Sequence, residues 1–262
     1  MFIPGTSSRP PQGLIIPEKE QILFTVLTHI PFAFLLFKSF DNLYAQADAT
    51  CLLFTIGGVV ASVFEPILDV MGFCYFPRDG NMIAFKLYDR PIPILVPRTY
   101  GWFVGGLGFW TLSILNEKKT IRADIWRMWL RNFIFNLLLE YTVLYFRMYV
   151  YYGHQPFSIG GFPLWFPACH AIAPLISATL VYLIQKELVG LKILLIVPII
   201  VATYGMANAG FGWPVWVALS LDVGPQISYP AGLITFALIA TSLWILSTAF
   251  PNNTGKLSSY SR

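Results

Sequence analysis

Apolar residues run along this chain in long blocks, broken by short polar stretches. A helix needs about 20 mostly apolar residues to cross a bilayer. Seven blocks meet that length, at roughly 21–40, 51–73, 94–115, 128–151, 164–185, 190–209 and 230–250. The pattern predicts an all-α, polytopic membrane bundle of about seven transmembrane helices, one domain spanning 21–250. Residues 1–20, "MFIPGTSSRPPQGLIIPEKE", are Pro-rich without an apolar h-region and read as a polar arm, not a signal peptide. Residues 251–262 read as a short tail.

Composition narrows the class. The 262 residues are 56% hydrophobic, 16% aromatic and 11% charged, which excludes an ordinary water-soluble domain. The net charge of +4 forms no basic stripe, so nucleic acid is not an expected partner; the lipid bilayer is. Cys51, Cys74 and Cys169 lie in or beside spans and suggest neither a disulfide framework nor a zinc site. Basic residues in short loops set the orientation. With the N-terminus outside, Lys38, Lys118, Lys119, Arg122, Arg127, Arg131, Lys186, Lys192, Lys256 and Arg262 fall inside. Arg9, Lys19, Arg78, Lys86, Arg90 and Arg98 remain outside, so N-out/C-in is expected. The sequon Asn252-Asn253-Thr254 then lies inside and stays unmodified. In a eukaryotic host the expected site is the endoplasmic reticulum membrane.

Two blocks break their own rule. In "FEPILDVMG", Glu65 and Asp69 lie four residues apart on one helical face, which continues back through Ala61, Gly58 and Phe54. A carboxylate at the centre of a span costs about 2.5–3.5 kcal/mol on insertion scales. Either the pair sits at the water interface, or it faces a cavity. Pro66 predicts a bend that frees the Ser62 carbonyl, and small residues on that face admit another helix or a ligand. In "RNFIFNLLLEYTVLYFRMYVYYG", Asn132, Asn136, Glu140 and Arg147 fall within about 80° of one another on a helix, and Tyr151 extends the stripe. Such a stripe faces the bundle interior, as a Glu140–Arg147 pair with amide glue or as a polar-lined pocket.

An internal repeat links the two blocks. After each acid-bearing helix comes an outer loop and a Pro-led re-entry, "PILVPRTY" (93–100) and "PLWFPACH" (163–170). Proline suits the first turn of a helix. The repeat sets Glu65, Asp69 and Glu140 opposite Tyr100 and His170. The outer loops, read as 72–91, 151–162 and 210–230, are long and aromatic, and suggest a mouth or lid. A β-hairpin is expected around Arg78-Asp79-Gly80-Asn81. The last loop carries Trp213, Trp216 and Asp222.

Several chemistries lack their residues. The seventh span has no Lys for a Schiff base, and there is no DDxxD, NDxxD, GxSxG, HExxH or Walker motif. His29, His154 and His170 lack metal-ligand spacing, so no cofactor is expected. Acid–base chemistry on a greasy substrate remains. A carboxyl group in a low-dielectric pocket stays protonated and serves as a general acid, while a second carboxylate accepts the proton released at the end. Aromatic faces stabilise positive charge in between. Phe64, Phe73, Tyr75, Tyr100, Trp102, Tyr141, Tyr145 and Trp165 are nearest the acids in sequence.

The stretches "EPILDVMGFCYF…RPIPILVP" and "EYTVLYFRMYVYYGHQPF…FPLWFP" resemble, in layout, the small integral-membrane terpene cyclases of meroterpenoid pathways and, more loosely, carotenoid hydratase and cyclase proteins. The resemblance covers roughly residues 65–170. It implies a metal-independent cyclase acting on a lipophilic isoprenoid, with Glu65 as catalytic acid, Asp69 and Glu140 as partner and counter-base, and Asp222 as an outer-loop candidate. Asn132, Asn136, Arg147, Tyr100, Trp102, Tyr151, His170 and Trp165 are the candidate substrate-binding residues. A hydratase or isomerase begins with the same protonation. A proton-coupled transporter and a lipid-binding receptor also use intramembrane acids.

Overall fold

The computed structural model describes residues 8–117 and 119–252. Lys118, Lys256, Arg262, and Asn253 and Thr254 of the sequon lie outside the described residues, as do 1–7 of the arm and most of the tail. The chain is mostly helical. The described residues form seven helical rods: α1 (Glu18–Gln46); α2 (Thr50–Ala61) continued through a 3₁₀ turn into α3 (Glu65–Met71); α4 (Leu95–Tyr100) continued through a π-helical turn, Gly101–Gly106, into α5 (Leu107–Glu117); α6 (Arg122–Tyr145); α7 (Trp165–Ile184); α8 (Ile196–Ser220), entered through a 3₁₀ turn; and α9 (Pro225–Ser247). Five of them are long and apolar enough to span a membrane. The α4–α5 rod is interrupted by its π turn, and α6 carries Arg122, Asp124, Arg127, Arg131 and Glu140.

The termini of these rods have local causes. Glu18 and Glu20 occupy the first turn of α1, where carboxylates favour the positive end of the helix dipole. At Pro66 the helix tightens instead of opening. Ser62–Phe64 form a 3₁₀ turn, and the Glu65 amide donates to the Ser62 carbonyl, which is therefore not free as expected. Pro66 then sits in the first turn of α3, where its missing N–H costs nothing. Helix α6 starts earlier than expected, with the Ile121 amide donating to Asp124 Oδ2 at 3.1 Å. It ends at Tyr145, because Arg147 adopts a left-handed backbone (φ 56°) and the Met148 amide turns back to the Val143 carbonyl.

The hairpin end of the bundle is built from six short strands: β1 (Cys74–Tyr75), β2 (Ile83–Leu87), β3 (Arg90–Pro93), β4 (Val150–Tyr151), β5 (Ser158–Ile159) and β6 (Phe162–Pro163). β2 pairs with β3, β5 with β6, and β1 crosses to β4. The first hairpin turns at Tyr88-Asp89, not at 78–81 as expected; both turn residues have positive φ, the geometry that matches strand twist. Lys86 and Arg78 bind the exposed Asp89 carboxylate and hold it below the usual carboxylate range. Residues 79–82 instead receive the N-terminal arm and the start of α1: the Ile16 amide donates to the Asp79 carbonyl at 3.0 Å, Gln21 Nε2 donates to the Gly80 carbonyl at 2.8 Å, and Gln21 Oε1 accepts from the Met82 amide at 2.6 Å. The expected loop at 210–230 is mostly helix, and only 221–224 separate α8 from α9. Glycine and Pro214 there read as turn signals, yet proline is tolerated within a helix surrounded by other helices.

Helix α7 is the central rod, packed on α5, α6, α8 and α9; α2 packs on α1, α8 and the α4–α5 rod. The tightest approach joins α2 to the π turn. A Cβ at Gly58 would lie 2.5 Å from the Tyr100 carbonyl oxygen, and one at Gly105 would lie 2.2 Å from the Phe54 carbonyl oxygen. Backbone meets backbone here, as the small residues on the Glu65 face suggest. Gly105→Ala is expected to cost about 1–3 kcal/mol through overpacking. Gly210→Ala, whose Cβ meets nothing nearer than 3.9 Å, gains about 0.5–1 kcal/mol of helix propensity. Thermal unfolding of the two variants in detergent checks the contrast.

Candidate functional site

Beneath the hairpin end lies a cavity of ≈ 80 Å³. Its walls come from α1 (Phe24, Thr28), Glu65, the α4–π rod, α6, α7 (Phe166, His170) and α8 (Tyr204), and strands β1 and β4 close it with Cys74 and Tyr151. This is smaller than the roughly 300–1,000 Å³ of sites that enclose a drug-sized ligand. Most of the lining is apolar or aromatic, including Phe76, Phe103 and Tyr149. Two carboxyl groups, Glu65 and Glu140, share it.

A hydrogen-bonded chain leads away from Glu65. Its Oε2 accepts from the Tyr100 hydroxyl. The Tyr100 and Tyr204 hydroxyls are 2.6 Å apart, and the Tyr204 hydroxyl is 3.2 Å from His170 Nε2. Tyr100, Tyr204 and His170 are all buried. Each hydroxyl donates once and accepts once, so two senses of polarisation satisfy the chain. With His170 as the imidazolium, its Nε2–H donating, every donor points toward a Glu65 carboxylate. With the proton on Glu65, every donor points toward a bare Nε2. Reversing the chain moves one proton between its ends without moving a heavy atom far.

The candidate residues divide sharply. Glu65, Glu140, Tyr100, Asn136, Tyr151 and His170 line the one cavity. Asp69 is 1% exposed and does not line the cavity; it lies one turn beyond Glu65, beside Cys74, and its Oδ2 has no hydrogen-bond partner among the described residues. Asn132 serves as interhelical glue, its Nδ2 donating to the Ala171 carbonyl at 3.3 Å. Trp165 is fully buried and donates to Gln155 Oε1 at 3.2 Å. Trp102 packs against Phe103 and Phe135, away from the cavity.

Two placements correct the expected stripe and loop. Arg147 is exposed beyond the end of α6 and makes no ion pair with Glu140, because the helix that would align them stops at Tyr145. Tyr151 reaches the cavity from β4 and not from the helix. Asp222 is exposed in the turn after α8, with positive φ, and does not line the cavity. Tyr145 is 80% exposed despite its closeness to Glu140 in sequence.

Tyr204, Cys74, Tyr149 and Phe24 were missed in the sequence. A signal existed for Tyr204. A tyrosine amid Ala202, Gly205 and Ala207 in an apolar span carries a hydroxyl that must find a partner inside the protein. Nothing comparable marks Phe24 or Tyr149. Among the described residues no group of three or more His, Cys, Asp or Glu side chains is arranged to hold a metal ion. Comparisons with protein-family models, with curated proteins and with solved structures found no match.

Tyr204→Phe removes a hydroxyl whose partners stay buried, and is expected to cost about 1–3 kcal/mol. Tyr145→Phe on the exposed face should stay within about 0.5 kcal/mol of wild type. Unfolding midpoints in one detergent compare them directly.

Proposed function

We propose that this cavity is the active site of a membrane-embedded terpenoid cyclase, which protonates a lipophilic prenyl, polyene or epoxide substrate without a metal and closes it through carbocations. The observation that carries the reading is the pairing of Glu65, at the end of a Tyr100–Tyr204–His170 chain, with Glu140 across one aromatic cavity. Glu65 delivers the proton to the epoxide oxygen or terminal alkene. Positive charge then moves along the substrate past the faces of Phe76, Phe103 and Phe166, which stabilise a cation without attacking it. Glu140 accepts the proton released from carbon in the last step. One proton enters and one leaves, so the product is an isomer of the substrate. The tyrosine–histidine chain resets the protonation of Glu65. Asp69, beside Cys74, positions the cavity wall. With a cavity this small, the unreacting hydrocarbon of the substrate remains among the helices and lipid.

The same reading takes the seven rods as seven spans, with the N-terminus and hairpins on the outer face and the C-terminus inside. It takes helix–strand–hairpin–helix (α3 to α4, and α6 to α7) as the repeat, with Tyr100 and His170 in corresponding places three residues after Pro97 and Pro167. Arg122 bonds the Phe250 carbonyl at the end opposite the hairpins, which supports an odd number of crossings. In a eukaryotic host the enzyme resides in the endoplasmic reticulum membrane.

Glu65→Gln keeps the shape of the side chain and its acceptor oxygen but removes the transferable proton. Membranes carrying wild type or Glu65→Gln, fed a prenylated-phenol epoxide and a linear polyene, are compared by lipid extraction and mass spectrometry. Wild type alone should yield an isobaric product of changed retention, and Glu140→Gln should lose it too. A product heavier by one water would make the enzyme a hydratase. Equal product from Glu65→Gln contradicts the assignment. Absence of any product, with proton-coupled uptake into vesicles, would favour a carrier that uses the same chain.

A further inference from the structure

A second cavity, of ≈ 740 Å³, lies at the end of the bundle opposite the hairpins. It is bordered by the last turns of α1, α5 and α7, the start of α2 and the entry to α8. Its lining is divided along the helices. Phe34, Leu35, Phe109 and Val181 lie deeper on their rods than Lys38, Asn42, Asn116 and Gln185, and Asp48 and Glu117 stand at the mouth. Asn116 and Gln185 serve each other, Gln185 Nε2 donating to Asn116 Oδ1 at 3.1 Å across α5 and α7. Asn42 is different. It is 5% exposed and lines the cavity one turn after Lys38, yet its side-chain amide makes no hydrogen bond among the described residues. Lys38, Asp48 and Glu117 make no ion pair among the described residues, and Asp48 uses only Oδ1, which accepts from the Thr50 amide at 2.8 Å. A buried amide without a partner is costly, and a ligand that supplies the bond recovers that cost.

We propose that this second cavity binds one phospholipid with a primary-ammonium, zwitterionic headgroup. Charged groups at the mouth above an apolar floor match a headgroup above its acyl chains, and Phe34 and Phe37 continue the floor onto the exposed face of α1. The Lys38 ammonium and Asn42 Nδ2 are donors on one face of α1 and take the phosphate. Glu117 and Asp48 Oδ2 are acceptors on α5 and at the start of α2, and take the ammonium. An anionic headgroup would meet two carboxylates and a single ammonium here. A trimethylated headgroup has no N–H to give them. Helix α1 is the least buried of the five rods long and apolar enough to span a membrane, and it supplies Phe24 and Thr28 to the first cavity. The lipid fastens its far end to α2, α5 and α7. Its binding is independent of the chemistry in the first cavity.

The full chain, purified in detergent and stripped of lipid, is given dioleoyl phosphatidylethanolamine, phosphatidylcholine or phosphatidylglycerol one at a time. Bound lipid is counted by native mass spectrometry, and thermal unfolding is followed in parallel. Wild type should take up one phosphatidylethanolamine per chain, roughly tenfold tighter than either other lipid, and melt higher with it. Glu117→Gln should erase most of that preference, because the ammonium loses a partner. Lys38→Gln should weaken all three lipids together, because each carries the phosphate. Both positions are exposed, so these variants should melt as wild type without lipid. Asn42→Leu should melt at or above wild type without lipid and lose the gain from phosphatidylethanolamine. Equal affinity of wild type for the three lipids means an unselective lipid shell and overturns the proposal. Tighter binding of phosphatidylglycerol overturns it too, as does a preference that survives Glu117→Gln or an affinity that Lys38→Gln leaves unchanged. Asn42→Leu that melts lower without lipid and keeps the full gain makes the amide structural and overturns its place in the site.

Discussion

A carboxyl group buried in an apolar helical bundle has to find its hydrogen bonds within the protein, and the contact between Glu65 and Tyr100 is where this chain meets that demand. The contact depends on two rods lying closer than ordinary side chains allow. Gly58 rests on the Tyr100 carbonyl, and Gly105 rests on the Phe54 carbonyl. The π turn that begins at Gly101 brings its three glycines, Gly101, Gly105 and Gly106, against neighbouring helices. Such turns recur at functional sites because they redirect a helix without breaking it. Tyr204 then reaches across from α8 and His170 from α7, so four rods share one polar thread through an otherwise apolar bundle.

The two ends of the bundle are built differently, and the site follows from that difference. At one end the helices are joined by short turns. At the other, strands leave α3 and α6 and pair with each other, Cys74 opposite Tyr151 and Tyr75 opposite Val150. This pairing closes the cavity over both acids. It also ties the segment after Glu65 to the segment after Glu140. At the exposed rim, Arg78 and Lys86 both pair with Asp89.

Much of this was legible in the sequence, because a membrane makes apolar length nearly equivalent to helix. The seven blocks matched seven rods, and the small residues preceding Glu65 marked a close helix contact. The errors have physical causes. Helix α6 looked continuous to residue 151 because nothing in "VLYFRMYVYY" is a standard breaker, yet Arg147 turns left-handed and ends the polar stripe at Glu140. The stretch 210–230 looked like a loop because glycine, tryptophan and proline cluster there, and the surrounding helices kept it helical. Asp222 drew attention as an acid and stands in that turn, away from the cavity. Periodicity on one helix says nothing about residues that different rods bring together, so Tyr204 and Cys74 needed the fold.

The central claim is that Glu65 and Glu140 share one cavity reached from the lipid phase. Labelling with dicyclohexylcarbodiimide, a lipid-soluble reagent for protonated carboxyl groups, followed by peptide mass spectrometry, tests it without knowledge of the substrate. The account expects label on Glu65 near neutral pH and on Glu140 as well once the pH is low enough to protonate it, with slower labelling of both when a farnesylated phenol is present. Label confined to exposed acids such as Glu18 and Asp222, with Glu65 and Glu140 unmodified, would contradict it.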